Sequence, residues 1–111
     1  MENQRQFPRA PLSGAVKFYE WNRAMHAEAS EISGTGIFLK TAEALPEGSL
    51  LTLRVSIPGL STAFTVLGKV VRTVRGGLLR PAGIGVRFVD IPASARACIQ
   101  HYVAERSLHA A

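Results

Sequence analysis

The sequence predicts a mainly β fold: a six-stranded antiparallel, Greek-key-like β-barrel with one C-terminal α-helix packed on it. Three observations lead there. Six short runs of β character precede residue 90, separated by turn signals at close spacing. After Asp90 the apolar period changes from that of a strand to that of a helix. The 111 residues, 47% of them hydrophobic, suffice for one core and leave no room for a second.

Each element has its own justification. Residues 1–13 (MENQRQFPRAPLS) show no usable period, and Pro8 and Pro11 exclude a helix interior. They are expected to form a flexible N-terminal arm, ahead of a barrel-plus-helix domain over 14–106 and a tail over 107–111. Gly14–Tyr19 is a short β-prone run. Met25–Ile32 alternates, with Met25, Ala27 and Ala29 on one face and a switch of face near Glu31. Gly36–Leu39 reads as a short buried strand. In Leu50–Ile57, Leu51, Leu53, Val55 and Ile57 share a face opposite Thr52, Arg54 and Ser56. Phe64–Val74 is long for one strand, and Gly68 in its middle predicts a bend or bulge. Gly83–Val89 completes the set. The turns are marked by Pro46-Glu47-Gly48, Pro58-Gly59 and Gly76-Gly77 with Pro81. Asp90 and Pro92 supply helix-start chemistry, after which Ala95, Cys98, Ile99, Tyr102 and Val103 form one apolar stripe.

Composition narrows the function. The single cysteine, Cys98, allows no intramolecular disulfide and fits a reducing compartment. No apolar run approaches a membrane span, and the polar N-terminus lacks the apolar core of a secretory signal, so a soluble cytoplasmic protein without membrane insertion is expected. The net charge of +5, from 13 Lys and Arg against 8 Asp and Glu, favours an anionic partner.

Two clusters carry the candidate chemistry. Arg5 and Arg9 lie four residues apart on a proline-stiffened segment; fully extended, their Cα atoms stand up to about 13 Å apart and can grip two parts of one ligand. The guanidinium fork makes bidentate bonds to phosphate or to a guanine O6/N7 edge, and it stacks on bases. The second cluster is Glu31-Ile32-Ser33-Gly34-Thr35-Gly36, between two expected strands. Its glycines permit a sharp turn and a close approach of ligand, Ser33 offers a hydroxyl to phosphate, and Glu31 can accept the N1–H and N2–H donors of guanine. Together these groups suit a guanine nucleotide and require no catalytic residue.

RxxxR near the N-terminus, followed after the second strand by (D/N)xSxxG, is the signature of PilZ domains, bacterial receptors of cyclic di-GMP. This chain resembles that pattern at Arg5 and Arg9, then at Ser33 and Gly36. Gly68-Lys69-Val70-Val71-Arg72 and Gly83–Asp90 look like the family's later strands, so the resemblance covers residues 4 to 106. It implies a cyclic di-GMP receptor or adaptor acting in motility, surface attachment or exopolysaccharide production. The arm is expected to order on ligand binding and so to switch a downstream protein partner, and no enzyme activity is expected. The implied ligand set is Arg5, Arg9, Glu31, Ser33 and Gly36, with Gln4, Gly34 and Arg72 as secondary candidates. The sequence departs from the family at Glu31, where Asp or Asn is usual, and at Gln4, which is often basic in relatives. A misplacement of order 1 Å matters in a tight site.

The remaining conspicuous residues have plainer readings. Arg72 and Arg87 are read as solvent-facing strand charges, with Arg72 held in reserve for stacking on a base. Trp21 and Phe18 are read as packing residues and Cys98 as a buried small hydrophobe. His26, His101 and His109 are scattered, so no metal or other cofactor is expected. No hydrolytic triad or P-loop is present. Two rivals accompany the receptor reading. One is a PilZ-like interaction module that does not bind nucleotide. The other, a basic barrel binding single-stranded nucleic acid, is not expected because aromatic platforms are few.

Overall fold

A computed structural model describes residues 9–12, 14–43, 45–58 and 63–109. Its elements are β1 (Arg9–Pro11), β2 (Ala15–Glu20), β3 (Arg23–Ser33), β4 (Gly36–Lys40), β5 (Leu50–Val55), β6 (Phe64–Val74), β7 (Gly83–Asp90) and α1 (Ala93–His109). The sheet order is β1-β3-β2-β5-β6-β7-β4, and a further β3–β4 pairing returns it to β3, closing six antiparallel strands into a barrel. The expected fold class is therefore the observed one.

Short β1 was not expected as a strand. Arg9, Ala10 and Pro11 pair with Ser33, Ile32 and Glu31, continuing beyond β2 along the same side of β3. The Leu12 N–H donates to the Ser30 carbonyl, and the Ala29 N–H to that of Gly14, bridging the two segments. Ala10 and Leu12 are buried, which explains why a proline-rich segment lies in a sheet. Pro11 has no N–H to give, a loss tolerated on a short edge strand. The arm expected over residues 1–13 thus contains a strand at its end. Arg5 and Gln4 lie outside the described residues.

The inward residues are those the alternation selects. Phe18, Leu39, Leu51, Leu53, Val66, Val70 and Ile84 are fully buried, and Val55 and Ile57 continue the β5 face. Two irregularities break the parity. On β3 the register shifts between Ala29 and Glu31, so Met25, Ala27 and Ala29 point inward and then Ile32 does. On β6 it shifts at Leu67/Gly68, as Gly68 suggests, and again between Val70 and Arg72. A bulge leaves one residue without a ladder partner and re-aims the residues after it.

Helix α1 runs through His109, three residues beyond the 106 expected, and packs on β1 and β3. Ala95, Ile99, Tyr102 and Val103 face the barrel, and the Tyr102 hydroxyl donates to the Pro11 carbonyl at 2.8 Å. Cys98 is only half-buried, because it lies at the edge of the apolar stripe. Trp21 also departs from expectation. It occupies the β2–β3 turn with φ of 58° and is 95% exposed, a turn tip having no core beneath it.

Candidate functional site

Outside the barrel, a groove of about 540 Å³ crosses the strands in the order β1, β3, β4, β7 and β6. Cross-strand register explains its composition. Pro11 stands opposite Glu31, Glu31 opposite Phe38, Phe38 opposite Gly85, and Gly85 opposite Arg72. From Glu31 to Arg72 are three strand spacings, about 14 Å between Cα atoms. The two bulges place both ends of this row. The irregularity before Glu31 turns its carboxylate outward, and that before Arg72 leaves both Val71 and Arg72 exposed on the groove side.

One wall carries the sequence motif. The Arg9 Nη1 lies 2.6 Å from the Glu31 Oε1, and both side chains are about 40% exposed. An ion pair so open to solvent contributes at most about 1 kcal/mol, so a ligand can exchange it for its own contacts at little cost. Ser33 is buried. Its Oγ accepts the Thr35 N–H at 3.2 Å and lies 3.1 Å from the Thr35 Oγ1. This local turn holds the hydroxyl pair at the groove's edge. Gly36 has a structural reason to be glycine: a Cβ there would run into the Val86 carbonyl oxygen, where β7 passes close by.

The opposite wall was not read as a unit from the sequence. The Arg72 guanidinium lies 5.5 Å from the Phe38 ring centroid. Gly85, beneath it, leaves a low floor; a Cβ there would sit 3.4 Å from the Arg72 Cβ. At Gly83 the Phe38 ring occupies the space a side chain would need. Arg87, read as a solvent-facing charge, is exposed and also borders the groove. Among the described residues the groove therefore presents Arg9, Arg72 and Arg87 against the one carboxylate of Glu31, an arrangement suited to an anion with a planar, stackable part.

Of the residues singled out, Arg9, Glu31, Ser33, Gly36 and Arg72 all line this groove. Gly34 is placed elsewhere, toward the helix, where a Cβ would stand 3.2 Å from the Gln100 Cγ. Thr35, Phe38, Gly85 and Arg87 line the groove too, though none of them is in the candidate ligand set read from the sequence. The signal for Thr35 was its place inside the motif. Phe38 sits on a short strand read as buried throughout, whereas its burial alternates and leaves Phe38 half-exposed.

The molecule is thus a six-stranded barrel with an external groove lined by arginines. The PilZ domain model matches residues 3–105, and the chain belongs to that family. No curated protein matches. Among solved structures, the inhibitor of motility (MotI/DgrA) of Bacillus subtilis superposes with TM-score 0.83 at 17% identity, covering 96% of this chain and 52% of that one. The PilZ domain of YcgR from Escherichia coli, solved with c-di-GMP, gives TM-score 0.66 at 17% identity, covering 96% and 94%. PlzA of Borreliella burgdorferi, also in complex with c-di-GMP, gives 0.67 at 14% identity, covering 92% and 42%. The chain spans about half the length of the first of these proteins.

Proposed function

We propose that this protein is a cyclic di-GMP receptor. The observation that carries the reading is the convergence of Arg9, Glu31, Ser33, Gly36 and Arg72 on one groove, in a member of the PilZ family two of whose structural neighbours are c-di-GMP complexes. The groove's size lies within the range of small-ligand sites. Arg9 leaves Glu31 and binds a phosphate or a guanine Hoogsteen edge, with Arg5 as the second grip. Glu31 accepts from the guanine N1–H and N2–H. Ser33, with Thr35, donates to phosphate, and Arg72, backed by Phe38, stacks on a base. Fixing the arm around the ligand changes the surface offered to a downstream protein partner, so the nucleotide acts by ordering a segment. The cytoplasm is the compartment this reading implies, in keeping with the single cysteine.

Calorimetric titration with cyclic di-GMP, with GTP as control, tests the reading. Saturable binding of cyclic di-GMP alone is expected, weakened at least about tenfold by Arg9→Ala. Unchanged affinity in that variant refutes the site.

The Arg9–Glu31 ion pair supports a second reading. The longer glutamate stands where Asp or Asn is usual, and with its carboxylate held toward Arg9 it lies about one C–C bond from the position a guanine contact would need. In that case the domain is a protein-interaction module that does not bind nucleotide. Absence of heat with a folded protein, and partner capture indifferent to cyclic di-GMP, would favour it.

A further inference from the structure

The end of the barrel where β2 and β6 terminate carries hydrophobic side chains that no packing explains. β2 and β6 both pair antiparallel with β5 and therefore run in the same direction, which brings the β2–β3 turn and the β6–β7 hairpin to one end. At the hairpin tip the Gly77 N–H donates to the Arg80 carbonyl at 2.9 Å. That bond closes a tight turn with Leu78 and Leu79 at its two central positions. Leu78 is 103% and Leu79 99% exposed. Trp21, on the other turn, is nearly as open and holds a positive φ, a conformation disfavoured for a bulky aromatic residue.

Charge accompanies these tips. From Gly48 to Val89 the sequence contains Arg54, Lys69, Arg72, Arg75, Arg80 and Arg87 and no acidic residue. Arg75 and Arg80 flank the leucines, and neither forms an ion pair among the described residues. Of the carboxylates at this end, Glu43, in the β4–β5 connection, is paired with Arg23 at 2.6 Å; Glu20 closes β2 and Glu47 precedes β5, both off the hairpin tip that carries Arg75 and Arg80.

We propose that this end of the barrel docks on an anionic lipid bilayer, with the Leu78–Leu79 tip entering the interface and Arg75 and Arg80 meeting the headgroups. The shape favours a bilayer over a protein. A convex tip with two bare leucines needs a partner that deforms around it, as the acyl–headgroup boundary does, whereas a protein would need a matching pocket. Leucine inside, arginine at the headgroups and tryptophan at the boundary is the distribution that interfacial partitioning selects. Basic residues close to an anionic leaflet strengthen such attachment. No helix among the described residues is long and apolar enough to cross a membrane, and this attachment needs none. It extends the expectation that nothing inserts as a span, because only loop tips make contact.

The test is vesicle sedimentation of the full chain, without nucleotide, using phosphatidylcholine alone and mixed with phosphatidylglycerol. Trp21 is the only tryptophan and serves as an internal probe. The protein should pellet with the mixed vesicles only, and its tryptophan emission should shift to the blue. The Leu78→Ser/Leu79→Ser double variant should bind at least about tenfold more weakly and Arg75→Glu/Arg80→Glu should abolish pelleting. Both variants should keep the parent's melting temperature and cyclic di-GMP titration, because the altered side chains are outside the core and the groove. No pelleting, or pelleting unchanged by the leucine substitutions, overturns the proposal. A concentration-dependent dimer that dissociates in the leucine variant overturns it in favour of a second copy of this chain as occupant.

Discussion

Replacing Gly36 by alanine places a methyl group against the Val86 carbonyl oxygen, a contact between backbones that no side-chain rotation relieves. β4 is paired on both edges, by β3 and by β7, so it cannot retreat from one without disturbing the other. Gly36↔Arg87 is the terminal pair of the β4–β7 ladder. The least costly response is to open that end of the ladder, losing one or two hydrogen bonds at about 1 kcal/mol each, with some overpacking added. A destabilisation of about 1–3 kcal/mol follows. At about 2.1 cal/mol/K of unfolding entropy per residue, each kcal/mol lowers the melting temperature of this chain by about 4 °C. Thermal unfolding without ligand should therefore fall by about 4–12 °C. Alanine that leaves the melting temperature unchanged while abolishing nucleotide binding would refute the argument. The glycine would then serve the ligand alone, not the close passage of β7.

Two further predictions concern the elements that hold the groove. Tyr102→Phe removes the hydrogen bond to the Pro11 carbonyl and should lower stability by about 1 kcal/mol, read as a melting shift of about 4 °C; no shift would mean that this link does not anchor β1. Arg72→Ala should weaken cyclic di-GMP binding by about tenfold in calorimetry. Its melting temperature should stay within about 2–4 °C of the parent, since the exposed stacking on Phe38 contributes only about 0.5–1 kcal/mol.

Much of this molecule is legible locally. The alternation in Leu50–Ile57 names its buried face because side chains on a strand point to opposite sides whatever lies beside it. The glycines and prolines mark the turns for an equally local reason. Ser33 and Gly36 were recognisable because their spacing in one short segment is itself the signal. Burial of large residues was less legible. Phe18 and Trp21 are three positions apart, yet one is fully buried and the other almost wholly exposed. Hydrophobicity alone does not reveal which residue the turn will carry past the edge of the core.

The sequence by itself therefore determined the six β runs and the helix, the inward faces between bulges, and the arginine and serine–glycine motifs. Only the tertiary structure decided that β3 pairs with β1, β2 and β4, closing the barrel. The same pairing puts Arg9 on a strand and in contact with Glu31. It also decided that Phe38, Gly85 and Arg72 stand in one row opposite that pair. The physical reason is that strand parity is a property of a single segment, whereas register and neighbour depend on how all the segments share one core. The groove is made of neighbours.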